Sequence, residues 1–112
     1  MNPEETKAVF SAPAFEDFPK NIIEISKVEG AAICTVYPQA LIEEHCIIHL
    51  EFHGWPTIKH TVVNPSDKQQ IPVPKGAFSR YVGQGPVSVK YDVWYRDTVH
   101  RGSSDILQVT VV

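Results

Sequence analysis

Hydrophobic and polar positions alternate most strictly over residues 85–95. Val87, Val89, Tyr91, Val93 and Tyr95 fall on one side of this stretch, and Ser88, Lys90, Asp92, Trp94 and the following Arg96 on the other. Alternation of period two, in a run rich in β-branched and aromatic residues, predicts a half-buried strand. Residues 45–53 repeat the pattern, with Cys46, Ile48, Leu50 and Phe52 set against His45, Ile47, His49, Glu51 and His53. Shorter alternations predict strands over residues 31–37 (Ala32, Cys34 and Val36 against Ile33, Thr35 and Tyr37), 57–63 (Ile58 and Val62 inward), 69–73, and 105–112 (Leu107, Val109 and Val111 inward). Residues 8–18 are interrupted by Pro13, which restricts them to an edge strand or an extended lead-in. Residues 21–28 read as a short strand or irregular chain.

Turn chemistry separates these runs. Gly54-Trp55-Pro56 breaks the second strong strand, and Asn64-Pro65-Ser66-Asp67 combines a preset φ with side chains that fold back on their own backbone. Residues 75–81 form a loop or a single helical turn, and residues 96–104, with Gly102, a polar hairpin loop. No long amphipathic helix is present. The pattern predicts an all-β fold, an antiparallel two-sheet sandwich of about seven strands. Tyr91, inward and early in its alternating run, is expected to turn its hydroxyl back onto the backbone of the preceding crossing, as a tyrosine corner does.

Composition narrows the function classes. A chain of 112 residues suits one domain, read here as a flexible leader over residues 1–7 and a single domain over residues 8–112. The net charge of −3, without any basic block, argues against nucleic acid and against an anionic membrane surface. No apolar run approaches the ~20 residues that span a bilayer. The leader has no basic segment followed by an apolar one, so no secretory signal is visible. That fits a cytoplasmic protein, export by another route, or a module cut from a longer chain. Cys34 and Cys46 read as buried thiols, with a single disulfide as the alternative.

The last third of the chain carries a resemblance. Ile71-Pro72-Val73-Pro74, a short crossing, residues 85–93, a polar loop and Ser104-Asp105-Ile106-Leu107-Gln108-Val109-Thr110-Val111 together resemble the C-terminal half of bacterial immunoglobulin-like modules. Such modules recur in large surface and secreted proteins. Residues 47–55, ending in His53-Gly54-Trp55, look like their third strand. The resemblance spans residues 30–112. It implies an immunoglobulin-like sandwich, an adhesion or recognition role and a surface or secreted setting. The chain departs from the antibody pattern in lacking a paired cysteine on the strand that holds Tyr91 and Val93.

Catalytic and metal signatures are missing. On a strand, His45, His49 and His53 share one face but stand about 13 Å from their neighbours at ~3.3 Å per residue, too far for two of them to hold one ion. Neither a metal nor a cofactor is expected, and no phosphate loop or nucleophile elbow occurs, so the chain is not read as an enzyme. What remains is a surface. In an immunoglobulin-like sandwich the third and sixth strands are neighbours and the seventh lies beside the sixth. Their outward sets bring together His49, Glu51 and His53 with Lys90, Asp92, Trp94 and Arg96, and add Ile106, Gln108 and Thr110. Trp and Arg are enriched at interface anchors. Trp55, at a strand end, is a second candidate. The expected function is a non-enzymatic recognition or adhesion module binding a protein partner through this face or by strand addition at a sheet edge, which also permits homo-oligomers. The alternative is a carbohydrate-binding module that stacks a sugar on Trp55 or Trp94.

Overall fold

The computed structural model describes residues 8–112; the leader expected over residues 1–7 lies outside the described residues. The protein is predominantly β, with two sheets. In chain order its elements are β1 (Ala8–Phe10), β2 (Ile22–Ile23), a 3-10 turn (Ile25–Lys27), β3 (Ala31–Val36), β4 (Cys46–Phe52), β5 (Ile58–Thr61), β6 (Gln69–Pro74), a one-turn helix α1 (Lys75–Ser79), β7 (Pro86–Tyr95), β8 (Val99–Ser104) and β9 (Leu107–Val111). The larger sheet runs β1-β8-β7-β4-β5, with β9 also on β7 and β2 on β9; β3 and β6 form the second sheet.

The two strongest alternations become the centre of the larger sheet. β4 and β7 pair antiparallel from Cys46↔Tyr95 to Phe52↔Val89. Their inward residues, Cys46, Ile48, Leu50 and Phe52 with Val87, Val89, Tyr91 and Val93, are buried together with Cys34, Val36, Ile71 and Val73 of the second sheet. Each large apolar side chain buried this way contributes about 1.5–3 kcal/mol. α1 closes one end of the core, where Phe78 meets Phe52 edge-on at 4.9 Å and Phe15 at 5.7 Å. Cys34 and Cys46 are buried free thiols. Burial pushes the Cys34 thiol up to about 12, so it stays protonated and unreactive.

Several expectations are corrected. Residues 96–104 are not a loop. The chain reverses at Arg96 and Asp97, both at positive φ (53° and 61°), with Thr98 N–H donating to Tyr95 O at 3.1 Å. This two-residue reversal has the twist that a hairpin requires. It lets β8 pair with the second half of β7, while β9 pairs only with the first half, Pro86–Val89. The strand set of Ile106, Gln108 and Thr110 therefore does not adjoin Trp94. Arg96 belongs to the turn and not to the outward face of β7. His45 (φ 74°) precedes β4 and His53 follows it, so neither belongs to that strand.

Tyr91 makes a different contact from the one expected. Its buried hydroxyl donates to Ser11 O at 2.8 Å and accepts from Gln39 Nε2 at 2.9 Å. It ties the segment after β1 to the core rather than the crossing between β6 and β7. β1 reaches its place because Gly102 of β8 has no side chain. A Cβ there would stand 2.0 Å from Ala8 O, across the parallel β1–β8 pairing.

Candidate binding face

The outward side of β4, β7 and β8 is built by cross-strand register. Ile47 faces Trp94, His49 faces Asp92 and Glu51 faces Lys90 on the β4–β7 side. On the β7–β8 side, Ser103 faces Asp92 and His100 faces Trp94, with a register shift between Val93 and Trp94. That shift gives β8 one residue more than β7 over this interval, and it sets two polar β8 side chains against two outward β7 residues.

Trp94 lies between two imidazoles. The His49 ring is stacked at 5.6 Å and 22°, and the His100 ring is tilted at 4.8 Å and 49°. Each imidazole is held by a carboxylate. His49 Nε2 stands 2.6 Å from Asp97 Oδ1, and Lys59 Nζ of β5 donates to Asp97 Oδ2 at 2.9 Å. His100 Nε2 stands 2.9 Å from Asp92 Oδ1, which also accepts from the Ser103 hydroxyl. Burial alone raises the Asp92 pKa. The Ser103 and His100 hydrogen bonds and the nearby Lys90 charge outweigh it and hold the carboxyl below its ordinary range. Lys59 and His49 depress the Asp97 pKa in the same way. Both carboxylates are therefore ionised at neutral pH.

A second feature opens at the far end of the same strands. A cleft of about 240 Å³ is lined by Glu51, His53, Trp55, Ser88, Lys90 and Ile106 among others. Glu51 and Lys90, cross-strand neighbours in its lining, pair at 3.4 Å. Trp55 is half-buried against the core, and the Arg80 guanidinium lies 5.8 Å from its ring centroid.

The predicted residues thus divide. Trp94, His49 and Asp92 meet in one cluster, while Glu51, Lys90, His53 and Trp55 meet around the cleft. Arg96 joins neither; its Nε donates to the Tyr95 hydroxyl at 3.3 Å. Trp94 is half-buried rather than a free platform. Sequence reasoning missed His100, Ser103, Asp97 and Lys59. The first two lie on β8, whose polar residues show no hydrophobic period, and Asp97 sits in a turn without the usual Asn-Gly or Asp-Gly pair. Among the described residues, no group of three or more His, Cys, Asp or Glu side chains converges on a metal position, and no helix is long and apolar enough to cross a membrane. No family model, curated protein or solved structure matches the chain.

Proposed function

We propose that the protein is a non-enzymatic recognition module of immunoglobulin-like, bacterial-module type, which binds a protein partner through the outward face of β4, β7 and β8. The architectural part is supported by the connectivity: β4 and β7 are central neighbours, β3 and β6 form an opposing pair, and the first strand runs parallel to a late one. The observation that carries the functional part is the setting of Trp94. A large aromatic side chain stands half-exposed in the middle of the face, with its rotamer fixed by two imidazoles that are themselves anchored to Asp97 and Asp92. An anchor ordered before binding loses little conformational freedom on association, which is where affinity is most often forfeited.

The non-enzymatic part rests on how the polar groups are connected. Ser103, His100 and Asp92 are the residue types of a hydrolytic triad, but the Ser103 hydroxyl donates to the carboxylate. In a working triad the serine proton goes to the imidazole, which the carboxylate orients from its other nitrogen. Here the carboxylate holds the serine proton itself, so the serine is not activated as a nucleophile. The edge strand β5 offers a second mode on the same side of the molecule, since it ends the sheet order.

The test compares proteins retained by the immobilised wild type, by Trp94→Ala, and by Gln70→Ala, a control on the second sheet. A partner held by the wild type and the control and released by Trp94→Ala is expected. Equal retention by all three contradicts the reading.

A further inference from the structure

Beyond the Trp94 cluster, and independently of it, we propose that the cleft beside Trp55 binds a single uncharged sugar residue. Its wall is fixed before any ligand arrives. The Tyr81 hydroxyl donates to His53 O at 2.7 Å and Arg80 Nη1 donates to Gly54 O at 2.9 Å. Gly54 sits at φ 79°, and a Cβ there would stand 2.2 Å from the Tyr81 hydroxyl oxygen, so the clamp requires glycine. The backbone from His53 to Trp55 is thereby held at the end of β4, and His53 N–H is bonded to Ser88 O at 3.2 Å across to β7. A prearranged wall of this kind lowers the ordering cost of binding a small ligand.

Size and chemistry select the ligand class. At about 240 Å³ the cleft is smaller than the ~300–1,000 Å³ of drug-sized sites and suits one ring. Trp55 and Ile106 supply apolar surface, which matches the C–H face of a pyranose. The rim supplies hydrogen bonds suited to hydroxyl groups. The His53 imidazole and the Thr57 hydroxyl have no hydrogen-bond partner among the described residues. Ser88 Oγ accepts from Gln108 Nε2 at 3.1 Å and keeps its own proton to donate. Charge decides against anions: Glu51 and Lys90, cross-strand neighbours in the cleft lining, neutralise each other at 3.4 Å, so this pair leaves no net charge for a phosphate or carboxylate.

The test is an amide and indole NMR titration of the labelled protein with the methyl glycosides of glucose, galactose, mannose and N-acetylglucosamine. Glucose 6-phosphate and glucuronate serve as charged counterparts. At least one neutral glycoside is expected to shift Gly54, Ser88 and the Trp55 indole with a Kd in the millimolar range. His53→Ala and Ser88→Ala, both at exposed or half-exposed positions outside the core, are expected to weaken that binding about tenfold. Trp94→Ala is expected to leave it unchanged, which separates this site from the recognition face. The proposal is overturned if no neutral glycoside perturbs Trp55 at tens of millimolar, if the charged analogues bind as well, or if both cleft variants bind like the wild type.

Discussion

The indole of Trp94 lies on the imidazole of His49, with ring centroids 5.6 Å apart and planes 22° from parallel. The stack joins β7 to β4, and through Asp97 and Lys59 it reaches the hairpin turn and β5. Removing the indole leaves the inward faces of both strands untouched. Trp94→Ala is therefore expected to cost about 1–2 kcal/mol, from lost ring and cross-strand contacts, and to keep the fold. Urea unfolding followed by far-UV circular dichroism measures this. A non-native spectrum in the absence of denaturant would show that Trp94 is a core residue and not a surface anchor.

Asp92 makes stability depend on pH. Its folded pKa lies below the unfolded value because Ser103, His100 and Lys90 outweigh the opposing effect of burial. A depressed carboxylate contributes stability that is complete above its unfolded pKa, near 4, and lost as pH falls through the lower folded value. Asp97, depressed by Lys59 and His49, adds to the same trend. Asp92→Asn is expected to cost about 1–2 kcal/mol at neutral pH and to shrink the loss of stability on acidification below pH ~4. Urea midpoints of both proteins across the acid range check this, and parallel curves would refute it.

Gly102→Ala tests the placement of β1. The added methyl group would meet Ala8 O, and the φ of 153° at this position already disfavours a side chain. The expected result is release of β1 from β8 at a cost of about 1–3 kcal/mol. Hydrogen exchange should then accelerate at Asp105 N–H, which is bonded to Phe10 O. Unchanged protection there would mean that β1 does not depend on this glycine.

Tyr91→Phe removes a buried hydroxyl that serves two partners, Ser11 O and Gln39 Nε2. The expected cost is about 1–3 kcal/mol, with faster exchange or proteolysis around Ser11 and Gln39. Loosening of the crossing between β6 and β7 instead would restore the tyrosine-corner reading.

What could be read from the sequence follows from burial. β4 and β7 are half-buried over their whole length, so side-chain alternation records their place, and Ile48, Leu50, Val89 and Val93 were legible as core. β8 is held differently. Its neighbours on both sides are strands, but after the exposed Val99 its residues are His100, Arg101, Gly102, Ser103 and Ser104, each satisfied by a polar partner or by close backbone packing. No hydrophobic period marks such a strand. The candidate face was half legible for the same reason: Trp94, His49 and Asp92 came from alternating strands, whereas His100 and Asp97 came from a segment read as loop. Tyr91 was legible as inward, yet its partner Ser11 lies far away in the chain, a pairing that no local pattern encodes.

The central claim is that the face around Trp94 is the recognition surface. A photo-reactive benzophenone side chain in place of Thr61, which is exposed on β5 opposite Ile47, samples that face directly; the same group in place of Gln70 samples the other sheet. The account predicts a discrete adduct from position 61, absent from position 70, that excess unlabelled wild type abolishes and Trp94→Ala does not. An adduct confined to position 70, or one competed equally by the wild type and Trp94→Ala, would contradict it.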